Sequence, residues 1–416
     1  MLQDLRFAIR SVLRSRGFAA ATVATLALGI GANTIVYSVI DAMMLRPLPF
    51  GDRTGRLVTI HSTHPTQATD WDDSELSYPD LIDLREASRR VEAIEGLISR
   101  NLSVEAGERI LAASITPGLF RMLGVEPQRG RAFADDEAAE PGQESHVMIS
   151  DALWHRLFGG DGAIVGRGML VNGRSLTIVG VMPPGFGFPE RHEVWLPLRL
   201  SRDAGRDRRS VTTVGLLREG TTLDEARAEL QALAAALADR HPRTNRDWAV
   251  HVMALRDFFV SPQTRRALTA MLAAVGLVLL VACANVASLL VARGVGRQRE
   301  LAVRAALGSG RGRLIRLLLL ESAVLSLIGG ACALLVASWG LDALLASMPE
   351  PPPYWAQVRL DARVLAFTAA LSGLTALACG LLPAMRLTRL DASHASLHAA
   401  RSGGQSPASA SCRDRS

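Results

Sequence analysis

Side chains able to act on a substrate or hold a metal are few in this chain and poorly spaced for either task. His61 and His64 stand i, i+3, and His394 and His398 stand i, i+4. Neither pair has nearby cysteines or a carboxylate framework to complete a metal shell, so both read as solvated loop or tail histidines. Acidic runs at Asp70, Asp72, Asp73 and Glu75, and at Asp135, Asp136 and Glu137, carry oxygens of the kind Ca²⁺ takes. Neither matches an EF-hand loop, and exposed loops are expected there. No Gly-x-x-x-x-Gly-Lys-Ser/Thr loop is present to cradle a nucleotide's phosphates. No Gly-x-Ser-x-Gly elbow or His-Glu-x-x-His pair offers a hydrolytic centre. The sequence therefore points away from an enzyme, and no metal or cofactor is expected in this chain.

The elements that carry these residues are set by four apolar blocks, at residues 18–44, 267–292, 317–348 and 364–385. A hydrocarbon core about 30 Å thick needs roughly 20 mostly apolar residues per helix. All four block centres are uncharged, and a charge at a helix centre costs about 2.5–3.5 kcal/mol on insertion scales. The fold class expected is a membrane protein of four transmembrane α-helices, with a large mixed α/β domain at 45–262 between the first helix and the second. The first block is too long for a cleavable signal peptide, lacks an evident cleavage site and carries Asn33 and Thr34, so it reads as a retained helix. Cys283, Cys332 and Cys379 lie inside apolar blocks, where cysteine behaves as a small hydrophobe.

Arginines set the orientation. Arg6, Arg10, Arg14 and Arg16 precede the first block. Seven arginines from Arg293 to Arg316 face a single acid, Glu300, between the second and third, and Arg386 and Arg389 follow the fourth. Under the positive-inside rule both termini and this loop, residues 293–316, are cytoplasmic, and the inserted domain faces outward. Topology accounts for these basic residues, so no nucleic acid is expected as a partner. Residues 1–17 place Leu2, Leu5, Ile9, Val12 and Leu13 on one helical face, as for an amphipathic helix against membrane lipid. A plain extension of the first membrane helix is the alternative. The tail at 386–416, rich in Ser, Ala, Gly and Arg, reads as disordered.

Within the inserted domain, Asn172-Gly173 between two strand-like runs signals a hairpin over Met169 to Met182. Ser150-Asp151 opens a helix stopped by Gly159-Gly160. Thr222 and Glu225 make a capping box for a helix through about Asp239, with Leu223, Ala226, Leu230, Leu233 and Leu237 on one face. Strand-like Val211 to Leu217 and Trp248 to Leu255 flank it, giving a β-α-β unit, and the domain is long enough for two subdomains. In the membrane blocks, Ala20, Ala24, Ala27 and Gly31 would let the first helix approach a neighbour closely, in the same subunit or in a second one. Asn33 and Asn285 could hydrogen-bond across helices. No ionisable residue stands at mid-depth, which argues against an ion-coupled transporter and suits helices that transmit motion.

The loop from Arg293 to Ser322 is the most informative stretch. Glu300, Leu301, Val303 and Arg304 open a short helix that Leu307-Gly308-Ser309-Gly310 ends, and a second amphipathic run leads to Glu321. A charged helix on a cytoplasmic loop suits docking in a partner's groove, or lying on anionic lipid. The pattern of Arg299-Glu300, Arg304-Ala305-Ala306-Leu307-Gly308, Ile315 and Leu320-Glu321-Ser322 resembles the signature of MacB/FtsX-type ABC permeases. Several outer-domain motifs are similar to that family's periplasmic core domain: Ile115-Thr116-Pro117-Gly118-Leu119-Phe120, Leu123-Gly124-Val125, Gly130-Arg131-Ala132-Phe133, and the run from Val179 through Pro183-Pro184-Gly185-Phe186. Leu26 to Thr34 and Leu45-Arg46-Pro47-Leu48-Pro49 resemble most closely an acidobacterial-type duplicated subgroup, whose members usually carry a second copy of helices and outer domain.

The resemblance implies a multi-pass protein of the bacterial inner membrane, the permease subunit of a mechanotransmission complex. A separate ABC ATPase would bind ATP, and Arg299, Glu300, Arg304, Leu307 and Gly308 would couple to it. The chain would pair as a homodimer or with a second permease copy, and export or release a drug, peptide or lipoprotein. The alternative function is a non-transport signalling or scaffold protein that regulates extracytoplasmic partners.

Overall fold

In the computed structural model, described residues are 10, 15–65, 75–104, 107–296, 311–348 and 352–381. The amphipathic run at 1–17 falls largely outside them, and the coupling residues and the tail at 386–416 fall wholly outside. Among the described residues, four helices are long and apolar enough to cross a membrane: Arg16–Leu45, Pro262–Ala292, Leu319–Ser347 and Ala362–Leu381. The chain divides into two compact units. One holds residues 15–41, 266–296, 311–348 and 358–381, and the other holds 42–265 with 352–357.

In the membrane unit the first helix is the central one. Of its apolar window 61% is buried, against 17% for the second helix. Small residues make that centrality possible. A methyl at Gly31 would stand 3.1 Å from Val336 Cγ1 of the third helix, and one at Gly29 would stand 3.0 Å from Leu279 Cδ1 of the second. The third helix returns the fit, with Gly329 against Leu26 and Gly340 against Ile35. Without a hydrophobic drive between helices in lipid, such close backbone approach and cross-helix hydrogen bonds hold the bundle. Asn33 Nδ2 donates to Val275 O of the second helix at 2.9 Å. Ser326 Oγ of the third donates to Ser372 O of the fourth at 2.6 Å. Asn285 is exposed on the second helix. The first helix ends in a π-helical turn, Asp41–Leu45.

The inserted domain is built on one ten-stranded mixed sheet. Its strands are β1 (Leu57–Thr63), β2 (Val91–Val104), β3 (Glu108–Ile115), β4 (Arg129–Gly130), β5 (His146–Ile149), β6 (Gly168–Val171), β7 (Arg174–Val181), β8 (Val194–Pro197), β9 (Thr212–Leu217) and β10 (Ala249–Ala254). The order is β10-β1-β9-β2-β3-β8-β5-β7-β4, with β6 bridging β2 and β7; β3 pairs with β8, and β5 with β7, in parallel. Helices α1 (Tyr78–Ala87), α2 (Leu119–Leu123), α3 (Asp151–Phe158), α4 (Leu223–Arg240) and α5 (Leu255–Phe259) complete it.

Period-2 alternation sorts the strand side chains between two faces. One face carries Leu57, Leu97, Ala113, Met148, Trp195 and Val214 into a core that runs the length of the sheet. The opposite face splits in two. Val58, Ile60, Ile94 and Val252 pack with α1 and α4, while Ala112, Val147, Ile178 and Val194 pack with α3. The expected two subdomains therefore share a sheet. β2 joins them, pairing through Val91–Leu97 with β9 and through Leu97–Val104 with β3. The β9–α4–β10 unit is present, but β1 lies between its strands and runs antiparallel to both.

Candidate functional site

Of the residues that sequence alone offered for metal chemistry, Glu137, Glu75, His61 and His64 have other partners. Asp135–Glu137 forms a 3₁₀ turn. Both Glu137 oxygens accept from Arg131, at 2.6 and 2.7 Å, and one accepts from Ala134 N at 2.8 Å. The Arg131 guanidinium holds the Glu137 carboxyl down at about 2. Glu75 accepts from Thr212 Oγ1, His61 stacks on Phe258 and His64 tilts against Trp248. Asp70, Asp72, Asp73, His394 and His398 lie outside the described residues, as do Arg299, Glu300, Arg304, Leu307 and Gly308. Of the small residues on the first membrane helix, Ala27 and Gly31 are buried, and Ala20 and Ala24 are exposed.

What the structure does bring together is the set of outer-domain motifs and the segments that lead to the membrane helices. Residues 46–50 follow the first helix, α5 precedes the second, and residues 352–357 precede the fourth. All three leads seat in the long core on the same sheet face, through Leu48 and Phe50, through Leu255, Phe258 and Phe259, and through Tyr354 and Trp355. The seat is aromatic. Trp195 of β8 meets Phe120 of α2 at 5.6 Å edge-on, and Phe120 meets Phe186 at 5.5 Å. Phe186 then meets Tyr354 at 5.4 Å. A second run passes from Phe50 to Phe188 at 5.7 Å, on to Phe259 at 6.3 Å, and to Trp355 at 5.2 Å. Edge-to-face pairs of this kind add about 0.5–1.5 kcal/mol each beyond area burial.

Hydrogen bonds fix the lead before the fourth helix as part of the domain. Tyr354 N donates to Glu190 O at 2.9 Å, and Arg191 Nε donates to Pro352 O at 2.6 Å. Arg256 donates to Arg46 O, tying α5 to the first lead. Burial pushes the Tyr354 phenol upward, and its hydroxyl and the Trp355 Nε1–H are buried without a hydrogen-bond partner among the described residues. An open cavity of about 550 Å³ lies beside them, edged by Pro47, Pro49, Glu126 and Phe186.

The motif residues build this seat. In Ile115-Thr116-Pro117-Gly118-Leu119-Phe120, the Thr116 hydroxyl donates to Glu95 and accepts from Gly96 N at 3.0 Å. A methyl at Gly118 would fall 2.3 Å from Glu95 Oε1, so glycine leaves room for that carboxylate. The turn then delivers Phe120 to the cluster. In Pro183-Pro184-Gly185-Phe186, Phe186 N closes the turn on Pro183 O at 3.1 Å and aims the ring at Tyr354. The arrangement is mechanical: it grips the three chain leads of the domain in one packed interior.

Comparison with known proteins places these motifs. The model of the MacB-like periplasmic core domain matches residues 19–233, over half of the chain, and that of the FtsX-like permease C-terminal matches residues 272–392. The chain belongs to the MacB/FtsX permease family. Among its relatives is the macrolide export ATP-binding/permease protein MacB 1 of Aeromonas hydrophila, 25% identical over 90% of this chain and 56% of that protein. The MacB of Bordetella avium is 27% identical over 89% of this chain and 55% of its own length. The chain spans about half the length of the curated relatives it matches. The periplasmic region of MacB from Actinobacillus actinomycetemcomitans is a similar solved structure, at 14% identity, covering 49% of this chain and 90% of that one, with a TM-score of 0.36. The extracellular domain of the noncanonic ABC-type transporter YknZ, from Gram-positive bacteria, is another at 17%, 47%, 99% and 0.36.

As a MacB/FtsX permease with four apolar helices, the protein is multi-pass in the inner membrane, and its α/β domain is extracytoplasmic. Sequence reasoning missed the seating of residues 352–357. The available signal was a proline-rich loop, Pro351-Pro352-Pro353, followed by two aromatics that a solvated loop has no reason to carry.

Proposed function

We propose that this chain is the permease subunit of an ABC-type mechanotransmission complex. A separate ATPase docks on the cytoplasmic loop through Arg299, Glu300, Arg304, Leu307 and Gly308. Its ATP-driven motion passes through the membrane helices to the outer domain, which exports or releases a substrate. Both termini are cytoplasmic. The relatives named for macrolide export make efflux the leading activity.

One observation above all supports the reading: the three leads to the membrane helices share one packed core of the outer domain. A close-packed interior transmits strain rather than absorbing it. Displacement of any lead therefore loads the whole sheet. Ala27 and Gly31 serve packing within the chain, while Ala20 and Ala24 face outward for a second permease copy. Exposed Leu277, Val278, Leu280 and Val281 face lipid.

The test is double replacement of Glu300 and Arg304 by alanine in the native complex. Stimulation of the ATPase falls while membrane insertion is unchanged; undiminished stimulation rejects the coupling role. Protease added to intact spheroplasts cuts between residues 45 and 262 and spares Gly308; cutting at the loop instead inverts the topology.

A further inference from the structure

The membrane unit holds a contact ladder that the function above does not require. The first and fourth helices are joined at three levels. Thr34 Oγ1 and Thr368 Oγ1 lie 3.0 Å apart. Tyr37 and Phe367 stack with centroids 3.9 Å apart and planes 4° from parallel. Arg363 Nη1 stands 4.0 Å from Asp41 Oδ1, and Asp41 is only 1% exposed. On the first helix the rungs at 34, 37 and 41 are three and four residues apart, which puts them on one face; on the fourth, Phe367 and Arg363 are four apart and Thr368 adjoins Phe367. The last rung falls where each helix meets its lead. Asp41 is the first residue of the π-helical turn, and Arg363 lies in the first turn of the fourth helix, which Asp361 caps through Arg363 N and Val364 N.

On the other side of each junction, the leads are held in the outer domain. Leu48 and Phe50 are buried in its long core, and Tyr354 and Trp355 pack against that core beside buried Ala356. Only residues 357–361 separate Ala356 from the fourth helix, a reach of roughly 20 Å when fully extended. The first and fourth helices are thus fastened to each other and, by short leads, to one domain interior.

We propose that these two helices work as a single lever, with Asp41–Arg363 as its latch and Tyr354–Trp355 as the grip on the outer domain. This deepens the mechanotransmission reading, on which it rests, by naming the helix pair and the residues that carry the displacement. The third helix packs on the first through Gly329 against Leu26 and Gly340 against Ile35.

Coupling between two sites is reciprocal, so amide hydrogen exchange on the full chain in nanodiscs, with no ATPase present, tests it from both ends. In Arg363→Ala, amides of Tyr354–Gln357 and of Glu190–His192 exchange roughly five-fold faster, as for loss of a weak ion pair. In Trp355→Ala, amides of residues 363–368 and of Asp41–Leu45 speed up by a similar factor. Trp355→Phe stays near wild type. Change confined to the substituted segment in both variants overturns the lever. Should Trp355→Ala unfold the outer domain, seen as fast exchange across β1–β10, the Arg363→Ala arm decides alone: unaltered exchange at Tyr354–Gln357 overturns the proposal. A positive exchange result alongside undiminished ATPase stimulation in the Glu300/Arg304 variant would reject the coupling reading and leave the latch standing.

Discussion

Tyr354 carries a hydroxyl that the fold buries and leaves unpaired. An unsatisfied buried polar group costs about 1–3 kcal/mol. Tyr354→Phe keeps the ring against Phe186 and removes that cost, so thermal unfolding in detergent shifts upward or holds; a clear fall refutes the assignment. His192 behaves differently. Its Nε2 meets Ser99 Oγ at 2.9 Å, and burial pushes the imidazole down to about 4, from 6.5. Above pH 6.5 both folded and unfolded chains hold it neutral. As pH falls from 6.5 to 4, the unfolded chain takes up a proton that the folded chain refuses, and stability drops by about 3 kcal/mol at most. Glu95 acts with the opposite sign. Burial raises its carboxyl against Arg85 and Thr116, so its contribution is present at low pH and lost as pH rises through the folded value. The difference between wild type and His192→Asn in urea midpoint, scanned from pH 7 to 4, isolates the histidine. Parallel profiles would show that His192 is not the group responsible.

Among the elements, those with local chemistry were readable in advance. Asn172 and Gly173 both take positive φ, 48° and 76°, as the two-residue turn between β6 and β7 requires. Ser150 caps α3 through Leu153 N, and Thr222 with Glu225 closes the capping box of α4. Long-range pairing was not readable. β1 is buried along nearly its whole length, so it lacks the alternation that betrays a strand, and its insertion between β9 and β10 has no local signal. In the membrane, the small-residue pattern marked Ala27 and Gly31 but could not say which neighbour they meet. Gly31 meets the third helix, so Gly31→Val overpacks the contact with Val336 and lowers thermal stability in nanodiscs by about 1–3 kcal/mol. An unchanged melting profile would mean that the first and third helices can separate at little cost. The seat residues were legible only as a family resemblance, because each motif makes a turn whose purpose is set by rings far away in sequence.

At the scale of the whole molecule, the outer domain is assembled from two stretches of chain, residues 42–265 and 352–357, parted by two membrane helices. A soluble fragment of residues 42–265 lacks the second stretch and leaves Phe186 and Phe259 without Tyr354 and Trp355. Such a fragment melts at lower temperature than the same fragment mixed with a synthetic peptide of residues 350–357. The shift is a few degrees, as for about 1 kcal/mol in a domain of this size. No response to a large excess of peptide would show that the segment rides on the domain without supporting it.

Translation meets residues 352–357 some ninety positions after the last residue of α5. A nascent chain can therefore exhaust its supply of outer-domain strands and still hold an interior with a missing wedge. The ribosome must add the second and third hydrophobic spans, and the insertion machinery must accept both, before Tyr354 and Trp355 can reach their places. Maturation of the exported domain thus waits on bilayer integration, and a chain whose third span fails to insert would carry an open aromatic wound for quality-control proteases to find.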